Sequence, residues 1–305
     1  MFIYTFRRFL IALAVLVSVT IVTFTLLQVS GDPAVALAGA EASDEDIEFV
    51  RKQYGFDKPL PVQYLKWAER ALHGDLGISV YLKKPVFDII IDKVPVTVTL
   101  AACSLLFALL LAIPLGVAAA MHPNTFIDRI ALSLAVVGQA LPNFFFALIL
   151  ILVFGVYLRI SPISGNSTWQ HYILPAVALG YYSTPAIMRL TRAGMLEVLS
   201  SDYIRTARAK GLRPFTVLFK HALRNAIIPV VSLTTVQLGL MLSGSIIIES
   251  IFSMNGIGRL GWQSIQRGDF EMVQAIVLTV SIFYVVLTFL ADVLNAYLDP
   301  RIRIH

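Results

Sequence analysis

The sequence predicts an all-α integral membrane protein with six transmembrane helices, a small external subdomain between the first and second, and both termini in the cytoplasm. Three observations predict it. Of the 305 residues 57% are hydrophobic and only 14% charged, with a mean hydropathy of +0.78, which excludes an ordinary soluble domain. Apolar runs long enough to cross a hydrocarbon core of about 30 Å alternate with polar stretches. The positive surplus, formally +5, gathers in some of those stretches, as the rule that short Lys- and Arg-rich loops stay inside requires. That rule accounts for the basic balance, so nucleic acid is not expected as a partner. The single cysteine, Cys103, lies in an apolar run and cannot make an intrachain disulfide or a thiolate metal site.

Phe9 to Val29 is the first span, and Arg7 and Arg8 hold its N-terminal end inside. Ala38-Gly39-Ala40 has the small residues of a signal cleavage site, but the apolar run exceeds a signal's and ends too far upstream. Residues 1–29 are therefore expected to be a retained helix with its tail. Residues 30–95 turn polar and acidic, with Asp32, Glu41, Asp44, Glu45, Asp46 and Glu48, which suits the outer face. Ser43 to Tyr54 reads as a helix capped by Ser43 with Asp46 at its third position, and Val62 to Leu72 as a second. Phe56, Tyr64 and Trp67 give this stretch something to bury, so a folded external subdomain is expected rather than a linker.

Residues 96–305 read as a five-helix core. Val96 to Ala120 is the second span, returning to His122 and Arg129 inside. Ile130 to Leu158 is the third, interrupted at Gly138-Gln139-Ala140-Leu141-Pro142-Asn143; a proline within a span frees backbone groups that neighbours or a wet cavity must satisfy. Gln139 and Asn143 are expected to face the bundle interior, lining a path or bonding another helix. Ile173 to Met188, bracketed by Pro175 and Pro185, is the fourth span. Ala226 to Ile248 is the fifth, carrying Pro229, Thr234, Thr235, Gln237, Ser243 and Ser245; its small and hydroxyl residues are read as interhelical glue, and Gln237 and Ser243 as further pore-lining candidates. Glu249 closes it near the outer surface, either as a functional carboxylate or as an interfacial one bonded to backbone. Gly256-Ile257-Gly258-Arg259-Leu260-Gly261 matches G-x-G-x-x-G, but no βαβ unit surrounds it, so its glycines are read as permitting a tight reversal. Met272 to Tyr297 is the sixth span, with Asp292 and Asn295 towards its inner end.

The charged stretch between the fourth and fifth spans, 189–225, carries Arg189, Arg192, Arg205, Arg208, Lys210, Arg213, Lys220 and Arg224 against Glu197 and Asp202. At about 2.5–3.5 kcal/mol for each cation at a bilayer centre, it cannot cross. Two short helices are expected within it, Ser201 to Lys210 and Pro214 to Leu223, broken at Gly211 and restarted by Pro214. Ile204, Ala207 and Gly211 share one face, small enough for another surface to approach, and the loop is read as a docking element. No Walker A motif, H-E-x-x-H pair or G-x-S-x-G occurs. A Pro-broken polar bundle with a basic inner loop and no energy source of its own suggests a conduit driven by something that docks inside. An intramembrane enzyme would have to use Asp292, Glu249 or Asn143, which lie at different depths without a paired partner. A passive channel would work without docked subunits.

Several stretches resemble the permease subunits of ATP-binding-cassette importers, in the branch that handles dipeptides, oligopeptides, glutathione and nickel complexes. They are Gly31-Asp32-Pro33, His73-Gly74-Asp75-Leu76-Gly77, Met195-Leu196-Glu197-Val198-Leu199, Asp202 through Leu212, His221 through Ala226, and Asp299-Pro300-Arg301. The resemblance spans essentially the whole chain. Arg205-Thr206-Ala207 stands where the general importer motif has E-A-A, and Leu223-Arg224 where it has L-P, as is usual for the peptide branch. Asn255 replaces a proline common before Gly256. The resemblance implies that Asp202, Tyr203, Arg205, Thr206, Ala207, Arg208, Lys210 and Gly211 belong to a coupling helix seated on a cytosolic ATPase. It implies a homologous second permease, two ATP-binding subunits that hold the ATP and Mg, an external solute-binding protein, and a peptide-like solute crossing a bacterial inner membrane. This chain itself is expected to bind no cofactor or metal and to be no enzyme. Trp67, Glu249, Gly256 and Gly258 are the candidates for the external gate and binding-protein contact.

Overall fold

The computed structural model describes residues 2–39 and 42–298; the Asp299-Pro300-Arg301 motif and the chain end lie outside them. Among the described residues all the regular elements are helices, with one isolated antiparallel bridge between Ile78 and Pro85. Four helices are long and apolar enough to cross a membrane: α1 (Phe2–Ser30), α5 (Val86–Met121), α13 (Ile228–Ile251) and α15 (Phe270–Leu298). Between α1 and α5 lie α2 (Pro33–Ala38), α3 (Asp44–Tyr54) and α4 (Leu60–Leu72). The expected cap of α3 is present as a capping box: the Ser43 hydroxyl accepts from the Asp46 amide, and the Asp46 carboxylate accepts from the Ser43 amide. Of these helices α4 is pinned to α1 by Phe24, Tyr64 and Trp67, whose ring centroids lie 5.6 to 6.2 Å apart, and by Gln28 donating to Gln63 at 3.1 Å.

The second long helix differs from expectation at its start. α5 begins at Val86, ten residues before Val96, and runs through Pro95 and Pro114. The extension forms because Val86, Ile89 and Ile90 bury against Ile257, Leu260 and Met272, so its charged residues ride on a helix already held by its apolar face. α5 is also the hub of the bundle. Ala101, Ala108, Ala112 and Ala119 on it are fully buried or nearly so, and small residues let helices approach closely in a membrane. At Gly116 a side chain would meet the Met188 carbonyl at 2.7 Å.

The third expected span is two helices. α6 (Phe126–Ala140) and α7 (Asn143–Leu150), the latter continued by a π-helical stretch Ile151–Tyr157, meet at Leu141-Pro142 with a bend of 101°. Pro142 has no amide to continue the ladder, and beside the break the Leu141 carbonyl accepts from the Tyr181 hydroxyl. The fourth is also divided: α8 (Ile173–Gly180) stops at a turn and α9 (Thr184–Leu199) restarts with Pro185 in its first turn. α9 continues eleven residues past Met188, so Arg189 and Arg192 lie on a helix and not in a loop. The basic stretch then forms α10 (Asp202–Ala209), α11 (Pro214–Thr216), a π-helical turn Val217–Leu223 and α12 (Arg224–Ala226), leading into α13; α14 (Ile257–Gln266) joins α13 to α15. Arg8 pairs with Asp292 at 3.1 Å, which sets the start of α1 beside the far end of α15.

Candidate functional site

The basic stretch is built around a two-sided helix. Ser201 precedes α10 in extended conformation and Gly211 ends it with φ +72°, a left-handed setting that favours glycine. On the inner side Ile204 and Ala207 are buried, packed with Met195, Val217 and Ala222 and with Val117 and Ala120 at the end of α5. The face expected to receive a partner is therefore filled from within the chain. The outer side carries Asp202, Tyr203, Arg205, Thr206, Arg208 and Lys210, all exposed, followed by exposed Gly211. Arg205 and Asp202 pair at 3.1 Å across one turn, and Asn225 donates to the Tyr203 hydroxyl at 2.9 Å. Sequence reasoning missed Phe215, 70% exposed and tilted against Phe219 with centroids 4.4 Å apart, in the same basic stretch. Its signal was there: two aromatics four apart in a polar helix pattern.

The attachment of this element to the bundle is close. A side chain at Gly194 on α9 would meet the Ala226 carbonyl at 2.8 Å. Asp128 on α6, 2% exposed, receives Arg192 through two bonds of 2.6 and 2.7 Å and the Asn124 amide at 2.9 Å. Asp128 was not singled out from the sequence, and Arg192 was counted with the loop. Arg189 donates to Gln139 at 3.0 Å, giving a second tie between α9 and α6.

The four pore candidates have different surroundings. Gln139 is exposed and engaged by Arg189. Asn143 begins α7 with its amide oxygen enclosed and without a donor. Gln237 accepts from Ser183 at 2.9 Å and is the candidate that joins α13 to the α8–α9 turn. Ser243 is exposed beside a cleft of about 200 Å³ lined by Ile246, Ile276 and Phe283. The hydroxyls of Thr234, Thr235 and Ser245, expected to join helices, return to carbonyls of their own helix.

The outer-gate candidates are interior. Glu249 is fully buried; it accepts from the Thr97 hydroxyl at 2.7 Å and the Arg259 amide at 2.9 Å. Thr97 in turn accepts from the Ile257 amide at 2.9 Å. Glu249 thus occupies the N-terminus of α14, where a carboxylate complements the free amides. At the G-x-G-x-x-G lookalike an acceptor for the helix amides is supplied by the chain itself. Gly256 and Gly258 are buried with it: a side chain at Gly256 would meet Glu249 and Thr97 at 2.5 Å, and one at Gly258 would meet the Ile246 backbone at 2.8 Å. Trp67 is 6% exposed in the aromatic trio on α1. All four are buried, and Glu249 has the bond to backbone that one of its two readings expected, with its side chain enclosed.

Residues 112–304 match the profile of the family described as binding-protein-dependent transport system inner membrane component, and residues 1–101 match its N-terminal companion. The glutathione transport system permease protein GsiC of Escherichia coli K12 is 39% identical over 301 residues, covering 98% of each chain. The protein of the same name from Pectobacterium atrosepticum is 40% identical over the same span, again 98% of each chain. Among solved structures, the inward-facing MetNI methionine ABC transporter superposes with a TM-score of 0.58 at 20% identity, over 69% of this chain and 96% of that one, a likeness of fold. The chain belongs to the binding-protein-dependent transport system inner membrane components and is a multi-pass inner-membrane permease of an ABC importer.

Proposed function

We propose that this permease forms half of a translocation pore with a homologous second permease and imports a peptide-like solute, glutathione being the first to test. Two cytosolic subunits would bind and hydrolyse ATP with Mg, and an external binding protein would deliver the solute. The observation that carries this reading is the two-sidedness of α10: polar and basic outward, and locked inward onto the ends of α5 and α9. A subunit gripping Arg205, Arg208, Lys210 and Phe215 would move those ends as a lever moves its shaft, and the bundle would alternate between inward- and outward-facing states. The substrate class is supported by relatives named for glutathione, itself a tripeptide. In this orientation α10 and both termini face the cytosol, and six crossings follow if the α6–α7 and α8–α9 pairs each count as one.

The test is uptake of labelled glutathione, a dipeptide, a longer peptide and a nickel complex by the complex reconstituted in vesicles, with and without ATP. ATP-dependent uptake of one peptide-like solute, competed by its unlabelled form, is expected. Uptake persisting without the ATPase subunits would overturn it in favour of a channel.

A further inference from the structure

Two arginines one turn apart on α9 are treated differently by the fold. Arg192 meets a carboxylate, Asp128, through two short bonds. Arg189 donates to a neutral partner, the Gln139 amide oxygen at 3.0 Å, and among the described residues it has no ion pair. Their side chains also diverge. Asp128 and Gln139 are eleven residues apart on α6, about 16 Å, whereas Arg189 and Arg192 are three apart on α9, about 4.5 Å. Both contacts form because the guanidiniums reach apart, Arg192 towards the end of α9 that leads into α10 and Arg189 towards the α6–α7 bend. A cation near the end of a span ordinarily extends to the nearer membrane surface. Arg189 is held the other way, with its charge uncompensated.

The surface on which it stands is polar. The exposed residues of α9 are Arg189, Ala193 and Glu197, and at spacings of four they form one stripe. That stripe has no large apolar side chain. The exposed part of α6 differs, with Leu134, Val136 and Val137 at 55 to 63% exposure. The second pattern suits lipid, whereas a charged stripe within a membrane bundle borders water or a cavity. The stripe descends from Arg189 to Glu197, close to the start of α10, so it forms a polar track open towards the basic stretch.

We propose that Arg189 is a solute contact in the translocation path, its guanidinium leaving Gln139 to take the carboxylate of the peptide-like solute as it passes. The inference rests on the reading of this chain as half of a peptide-importing pore, and adds the group by which that pore reads its solute. A guanidinium offers a carboxylate two parallel donors, and a carboxylate displaces the neutral Gln139 amide without breaking an ion pair.

The experiment uses the whole importer in vesicles with saturating solute-loaded binding protein, so that uptake reports passage and not capture. The probes are labelled glutathione, a dipeptide and a longer peptide, all with free carboxylates. Arg189→Gln is expected to lower uptake per ATP hydrolysed about tenfold, the scale of one charge-assisted hydrogen bond, with melting and ATP hydrolysis unchanged. Arg189→Lys should recover uptake to within about threefold of the unaltered importer, since an ammonium keeps the charge but not the paired donors. With the sole cysteine removed as Cys103→Ala, Ala193→Cys should react with a membrane-impermeant maleimide added on the α10 side. No ATP-driven uptake of any probe by the unaltered importer overturns the peptide reading itself. Where the unaltered importer takes up a probe, the proposal alone is overturned by full uptake per ATP with Arg189→Gln, by a loss that Arg189→Lys does not reverse, or by no labelling at position 193. Weaker copurification of the second permease with Arg189→Gln also overturns it, because the arginine would then have its counter-ion on that subunit.

Discussion

The chain ends its charged segments in opposite ways at its two extremities. At the α13–α14 turn a single carboxyl group, Glu249, is sealed from solvent and holds α5, α13 and α14 together through Thr97 and the Arg259 amide. At the basic stretch the charges of α10 stand outward, while Ile204 and Ala207 are sealed against Met195, Val217 and Ala222. A buried polar group must find its partners within the chain, whereas an exposed cation contributes little to folding and stays available. The difference separates a part that fixes shape from a part that, in the proposed function, would receive force. The largest effect should come from breaking the first. Glu249→Ala leaves the Thr97 hydroxyl and the Arg259 amide enclosed without an acceptor, roughly 4 kcal/mol at about 2 for each group. The expected outcome is a sharp fall in folded complex recovered in detergent and in its unfolding temperature. Unchanged melting would mean that the clamp is not structural.

The second prediction tests the inner side of the handle. Ile204→Ala removes a fully buried side chain from the joint between α10 and the end of α5, at about 3 kcal/mol for a large-to-small core change. Since that joint is also the proposed lever, ATP hydrolysis should continue while uptake per ATP falls. A variant that loses stability but keeps its coupling ratio would place the lever elsewhere.

The comparison also shows what kind of information the sequence held. Ser43 with Asp46, the break at Gly211 and the restart at Pro214 are local patterns, read within a few residues, and the structure has each. Features that depend on distant partners were hidden. Asp128 and Arg192 are 64 residues apart and their pairing is visible only once α6 lies on α9. The start of α5 was obscured because Asp88, Asp92, Lys93 and Pro95 mimic an exterior loop; the helix persists on the apolar face that α14 and α15 cover. Ile204 and Ala207 were placed correctly on one face, but whether that face turns to a partner or to the bundle is a tertiary fact. The glycines at 256 and 258 were read as a reversal, and the buried Glu249 they make room for lies across that turn.

The third prediction addresses the outer side of the handle. Arg208 is exposed and touches no buried group, so Arg208→Glu should leave melting within about 0.5 kcal/mol of the unaltered protein. If the surface engages an ATPase, reversing that charge should lower ATP-driven uptake about tenfold, equivalent to about 1.4 kcal/mol of docking. Copurification of the ATPase subunits should fall in parallel, and more steeply at higher salt, because exposed charges are screened. Full uptake with Arg208→Glu and with Phe215→Ala together would leave α10 without its proposed role.

The smallest effect asks whether any exposed charge outside the handle matters to folding. Asp46 accepts from the Ser43 hydroxyl and amide, and those bonds, the hydroxyl's first, hold its carboxyl below the ordinary carboxylate value. The sign follows from linkage: a carboxylate favoured in the folded state adds stability above its unfolded pKa and loses it as pH falls through the folded one. The cap of α3 should therefore be complete at neutral pH and weaken below about pH 4. Asp46→Asn removes the titration but keeps a side chain able to accept one bond, so protease cutting between Ser43 and Tyr54 should lose its acid dependence while uptake at neutral pH stays unchanged. If cutting in the unaltered protein shows no acid dependence, the capping box does not hold α3 in solution, and α3 owes its order to its packing on α2 and the 2.6 Å pair between Arg51 and Asp32.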